Sequence, residues 1–400
     1  MKHNLTKGRM DDFFILRMGK TPPRDNSDYW LNGTNNWVAI SDMGKSKYIS
    51  STSECITDKG IADCNMVPVP ANTVVMSFKL SIGKTAITSK PIFTNEAIMS
   101  FLPKTEFADN ILVDYIYYYL LGHRWGGTGK KAVKGVTLNK ASLSATPFSF
   151  PSLADQKQAI AELDKINETI EDCRELLRNL DALAQSLFYE YFGKFYIDNS
   201  PHYKSLKEVF DTVTDFVAAG SFASLRENVI YQDSPNYAQL VRTMDIKSNF
   251  TKGQFVFVDK HAFDFLWRVN LDKECIILPN IGVNCGEVYH LKPSNLIYDN
   301  NVLGPNAILV RSSKYNHLFL SFALKSDDFQ KQLSKITSQV AQPKFNKTNL
   351  KELKVLIPPL ALQEQFAARI EQIEAQKKAV EQTIAELQTL LDSRMDYWFN

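Results

Sequence analysis

The chain has 400 residues, 44% hydrophobic and 22% charged, which is too long for one ordinary core and excludes a disordered or collagen-like polymer. No apolar leader follows Met1-Lys2-His3-Asn4, no apolar run is long enough to span a membrane, and the cysteines at 55, 64, 173, 275 and 285 contain no C-x-x-C pair. These features predict a soluble cytoplasmic protein of two or three domains, with reduced thiols, no zinc site and no membrane partner. The net charge of +2 conceals an alternation: residues 1–154 carry +6, 155–197 carry −4, 198–350 carry +2 and 351–400 carry −2. A polyanion would prefer the basic blocks.

Asn32-Gly33 marks an early loop, and Thr73-Val-Val-Met-Ser77 reads as a short buried strand leading to a turn closed by Gly83. An aromatic run from Val113 to Leu121 predicts a helix packed on a sheet, and Gly126-Gly127 a loop. Past Pro151, Leu163, Ile166, Ile170, Cys173, Leu177, Leu180, Ala184 and Leu187 step by threes and fours, an a/d heptad seam, with Asp155 the expected N-cap. The pattern then recurs. Cys275-Ile-Ile-Leu-Pro279 predicts a strand, with a turn closed by Gly286; Asp299-Asn300-Asn301 a loop; His317 to Leu324 a helix. After Pro358-Pro359 a second seam runs Ile370, Ile373, Lys377, Val380, Ile384, Leu387, Leu391, interrupted by the lysine.

The recurrence is a tandem repeat. A shift of 207 aligns 138–193 with 345–400 without a gap and pairs Asn139 with Asn346, Pro151 with Pro358, Leu153 with Leu360, Gln156 with Gln363 and Phe192 with Phe399. Upstream, a looser shift of 203 pairs Asp42 with Asp245 and Gly83 with Gly286. The predicted fold class is α+β: two mixed α/β domains related by the repeat, separated by two long helices that form an antiparallel coiled coil with pseudo-two-fold symmetry. The boundaries expected are 1–150 and 196–355 for the globular blocks, 151–195 and 356–400 for the helices.

No catalytic motif is found. Gly129-Lys130-Lys131, Gly83-Lys84-Thr85 and Gly19-Lys20-Thr21 each lack the first glycine of a phosphate-binding loop. No G-x-S-x-G or H-E-x-x-H occurs, and Ile357-Pro358-Pro359-Leu360 keeps only the prolines of the DNA amino-methyltransferase motif. The loops offer polar and basic residues instead. Ser77, Lys79, Ser81 and Lys84 surround one turn; Asn280 and Asn284, amides able to pair with adenine, occupy its counterpart. The basic run Arg124, Lys130, Lys131, Lys134 corresponds to Ser338, Gln339, Gln342, Lys344. With Lys20, Thr21, Arg24, Ser221, Arg226, Arg242 and Lys292, these are the candidate DNA contacts: the cations for phosphates, the hydroxyls and amides for base edges.

Gly19-Lys20-Thr21-Pro22-Pro23, Tyr29-Trp30, Asn32-Gly33, Trp37-Val38 and Ile40-Ser41-Asp42-Met43, with the two Pro-x-Leu-x-x-Gln elements before the heptads, resemble the specificity (S) subunit of type I restriction-modification enzymes along essentially the whole chain. The second block departs from the pattern, with Ala219-Gly220-Ser221-Phe222 in place of G-x-T-P. The resemblance implies a non-catalytic subunit without cofactors. Two target recognition domains would each read half of a bipartite double-stranded DNA site, and the helices would set the spacer. It also implies docking of two modification (methyltransferase) subunits and, through them, two restriction (translocase/nuclease) subunits. The alternative is a coiled-coil scaffold whose blocks bind proteins or small ligands, which explains the heptads but not the motifs.

Overall fold

The computed structural model describes residues 4–79, 81–125, 138–196, 200–251, 253–338 and 341–399. Four helices organise it: α1 (Val113–Gly122), α2 (Leu153–Phe192), α3 (His317–Lys325) and α4 (Leu360–Phe399). The chain forms two compact units, residues 1–175 with 380–400, and residues 176–379, so each unit takes part of both long helices.

In the first unit a five-stranded sheet has the order Phe14–Met18, Ile98–Pro103, Val74–Ser77, Thr85–Thr88, Tyr48–Ile49. A smaller sheet places Asn35–Val38 between Glu54–Ile56, antiparallel, and Phe93–Thr94, parallel. Thr6–Arg9 pairs antiparallel with Pro147–Phe150, so the block closes on itself just before α2. The apolar faces of the larger sheet and α1 enclose a core of Phe14, Met76, Phe101, Tyr115, Ile116 and Phe148.

The second unit repeats this plan. Thr212–Asp215, Ala307–Arg311, Cys275–Pro279 and Tyr289–Leu291 form a four-stranded sheet in the corresponding order. Ala238–Val241 lies between Val256–Val258, antiparallel, and Asn301–Leu303, parallel. Tyr203–Ser205 pairs with Lys354–Leu356 before α4. The strands and helices expected from the sequence are present, except that Asn301 begins a strand and is not part of a loop. Gly126-Gly127 lies outside the described residues.

The long helices carry the expected seam. Leu163, Ile166, Ile170, Leu180, Ile370 and Ile373 are buried; Cys173, Leu177, Leu187, Val380, Ile384, Leu387 and Leu391 are half-buried. In the second unit Asp181 meets Lys377 at 2.8 Å while Phe188 and Phe192 pack on Phe366, an antiparallel progression. The lysine that interrupts the seam is thus paired with Asp181 and Glu374. In the first unit Glu162 accepts hydrogen bonds from Arg394 (2.9 Å) and Trp398 (3.0 Å), and Leu163 packs with Met395 and Tyr118. One detail differs from expectation. The Asp155 amide donates to the Ser152 hydroxyl, so Ser152 caps α2 and Asp155 reciprocates from the first turn.

Candidate nucleic-acid interface

The turn after Val74–Ser77 is closed by a hydrogen bond from the Gly83 N–H to the Ser77 carbonyl (2.9 Å), and its counterpart by one from the Gly286 N–H to the Pro279 carbonyl (3.0 Å). Both glycines have left-handed φ, +90° and +92°, a conformation that favours glycine. The repeat therefore preserves the device that shapes the turn while the side chains it presents differ.

Each turn lies against the segment that the repeat predicted for it. In the first unit a Cβ on Gly83 would stand 3.1 Å from Trp125, at the start of the basic run. Lys130, Lys131 and Lys134 themselves lie outside the described residues, as does Gln339. In the second unit Gly282 donates to the Pro343 carbonyl (3.0 Å), and Phe345 and Asn280 exchange bonds of 3.1 Å. Ile281 bridges Lys344, whose own amide donates to the Ser338 hydroxyl at 3.2 Å. The 280–286 turn meets Ser338 and residues 341–345 along one surface.

Several candidate residues have partners within the chain. Ser77 is fully buried; its hydroxyl donates to the Ser81 carbonyl and accepts from the Lys84 amide, so it shapes the turn. Asn280 gives its amide to the Phe345 carbonyl. Arg242 grips fully buried Asp245 through Nε (3.0 Å) and Nη2 (2.8 Å), and these bonds hold its guanidinium above the ordinary range. Ser221 caps the helix Phe222–Asn228. Lys292 pairs with Glu371 on α4 at 2.8 Å, and Arg124 with Asp396 at 3.1 Å.

The first-block motif is likewise internally bonded. A Cβ on Gly19 would fall 2.1 Å from the Thr94 carbonyl, so the close approach admits only glycine. The Lys20 ammonium donates to the carbonyls of Cys64 and Asn65, and Thr21 bonds Glu96. Arg24 pairs with Glu54 and lies 3.9 Å from the Trp30 ring centre, an exposed cation–π arrangement. The acids of the strand-plus-Asp motif are caps: Asp42 accepts the Ala39 amide and Asp245 the Arg242 amide.

What remains open to a ligand is narrower. Ser81 is exposed and Lys79 and Lys84 half-buried on the first turn, the Lys84 ammonium 3.3 Å from the Ile40 carbonyl. On the second surface Gln342 and Lys344 are exposed, and Arg226 is exposed with no ion pair among the described residues. Asn284 accepts from Lys247 (2.9 Å), which leaves its amide hydrogens as donors. Lys247 also holds Glu287 at 2.6 Å. Burial raises the Glu287 carboxyl, but the bonds from Lys247 and Tyr289 outweigh it and keep the group below its usual range. Sequence reasoning missed Lys247, since nothing local links it to a loop 37 residues away. It also missed Val283, which projects 95% exposed from the turn.

The model of the type I restriction modification DNA specificity domain matches residues 3–180 and 205–389, one copy over each repeat. The chain belongs to this family. Over 197 residues it is 26% identical to the type I restriction enzyme MjaIX specificity subunit of Methanocaldococcus jannaschii, covering 47% of this chain and 43% of the relative. Over 183 residues it is 28% identical to the EcoR124I/EcoR124II specificity subunit of Escherichia coli, covering 44% and 43%. These matches span less than half the length of either relative. The fold is shared with the S subunit of a type I restriction-modification system from M. genitalium, with TM-score 0.50, 15% identity, and coverage of 100% of this chain and 97% of that one. A chain from a type I R-M system studied for complex assembly gives TM-score 0.59, 15% identity, and 100% and 98% coverage. Among the described residues no helix is long and apolar enough to cross a membrane, and no cluster of ligating side chains could hold a metal ion.

Proposed function

We propose that this family member is the DNA sequence-specificity subunit of a type I restriction-modification complex. Each block, 1–150 and 196–355, reads one half of a bipartite asymmetric site, and the long helices set the spacer between the halves. The observation that carries this reading is the duplicated surface: one turn geometry with two sets of side chains, Ser81, Lys79 and Lys84 in one block and Asn284, Gln342 and Lys344 in the other. Lysines there neutralise phosphates; the amides and hydroxyls meet base edges.

Methylation and cleavage belong to the partners: two modification subunits docked on the helices and two restriction subunits held through them. Leu153 and Leu360, and Leu183 and Leu390, support duplicated docking, being identical under the repeat and exposed on the helices. The test is methylome sequencing of a host expressing the chain with its neighbouring modification gene, against a deletion. One bipartite methylated motif that vanishes with the deletion is expected. Cleavage or methylation of DNA by the purified chain alone would overturn the reading.

A further inference from the structure

The repeated glutamines Gln156 and Gln363 lie outside the candidate interface, yet both are fully buried in the first turns of α2 and α4. A buried primary amide carries two donors and an acceptor that must be satisfied. Gln156 accepts from the Leu112 amide (2.9 Å) and donates to the carbonyls of Asn110 (2.8 Å) and Pro151 (3.0 Å). Gln363 accepts from the Asn316 amide (3.3 Å) and donates to the Pro358 carbonyl (2.7 Å). Leu112 and Asn316 are the N-caps of α1 and α3, the helices that pack on the two main sheets. Each glutamine therefore joins three pieces of its unit: the long helix, the proline before it and the start of the block's own helix.

A second tie repeats at the same spacing. Eight residues beyond each glutamine, an acid on the long helix meets a lysine from the block's sheet region. Lys47, beside the edge strand Tyr48–Ile49, holds Asp164 and Asp114 at 2.6 Å each. Lys292, just after the strand Tyr289–Leu291, holds Glu371 at 2.8 Å. Two attachments about 12 Å apart along a helix, at about 1.5 Å per residue, remove the swivel that one would allow.

We infer that each repeat clamps its block to its own long helix at two points, the buried glutamine and the acid–lysine pair, and that this clamp sets the spacer register of DNA recognition. The six residues, Gln156, Asp164 and Lys47 in one repeat and Gln363, Glu371 and Lys292 in the other, are positioning residues and are not among the side chains assigned to base edges. The inference rests on the proposed specificity function. It accounts for the retention of glutamine and of an acid at equivalent places in repeats whose loops have diverged.

The test uses the complete chain assembled with its modification subunits, selecting bound duplexes from a pool of random sequence, for wild type and for Gln156→Met, Lys47→Met and Lys292→Met. Each variant is expected to select the wild-type half-sites but to accept a spacer one base pair longer or shorter, with spacer discrimination reduced about tenfold. A mere loss of stability would lower binding to all spacers alike and would overturn the clamp, as would an unchanged spacer or altered half-site bases. The two lysine variants alter half-buried groups and carry the test if Gln156→Met does not fold. Failure of the wild-type complex to select any bipartite site would instead refute the specificity function, a result distinct from failure of the clamp.

Discussion

The two globular blocks share a strand order and almost none of their exposed chemistry. Identical residues under the repeat hold geometry: Asn139 and Asn346 cap equivalent short helices with bonds of 2.8 Å, and Gln156 and Gln363 anchor the long ones. The residues that differ lie on the turns, Ser81 and Lys84 against Val283 and Asn284. A repeat that keeps its framework and changes its outward side chains suits a molecule with one constant assembly and two different targets.

The sharpest contrast lies in the strand-plus-Asp motif. Both acids cap a turn, but Asp245 is buried against a guanidinium while Asp42 is half-buried against Ser53. Asp245→Ala removes a cap and the charge-assisted bonds to Arg242, whose partly exposed guanidinium keeps its bond to the Gln254 carbonyl, and should cost about 1.5–3 kcal/mol. Asp42→Ala loses a cap worth about 1 kcal/mol. Chemical denaturation of the two variants checks the difference, and equal losses would remove the contrast.

The second comparison concerns charge on the turns. Lys79→Ala and Lys84→Ala should each lower the slope of log affinity against log salt by about 1, without altering the preferred bases. Titration at several salt concentrations reads this directly; a changed base preference would make these lysines readers and not phosphate contacts.

A smaller effect comes with pH: burial lowers one imidazole in the first block, His123, and two in the second. In the second, His290 and His317 face Glu274, and His317 Nε2 accepts the Ser312 amide. Burial lowers both imidazoles below the ordinary value of 6.5, only partly offset by Glu274. A group whose folded value is depressed lends stability above its unfolded pKa and loses it as pH falls through the folded value. The unfolding temperature should therefore drop as pH falls below 6.5, and His317→Asn should flatten the profile.

The smallest effect is expected at Gln239, fully buried with neither side-chain atom bonded to a protein group among the described residues. Gln239→Leu should be neutral or raise stability by about 1 kcal/mol, since it removes unmet polar atoms.

The helices, the repeat and the turn-closing glycines were legible because each rests on local periodicity or backbone need. Much of the interface was not. Ser77 reads as an exposed hydroxyl until the turn folds over it, and Arg242 and Lys292 look like free cations until Asp245 and, 79 residues away, Glu371 engage them. A sequence reveals which cations exist; only tertiary pairing decides which remain available. Gln156 was visible as a repeated letter, but its role required knowing that the N-cap of α1 lies beside it.

The most direct test exchanges residues 1–145 for the corresponding block of another family member and determines the methylated site of the assembled complex. Independent reading by two blocks on one clamped frame predicts that one half-site changes while the other half-site and the spacer stay as they were. A change in both half-sites, or in neither, would contradict it.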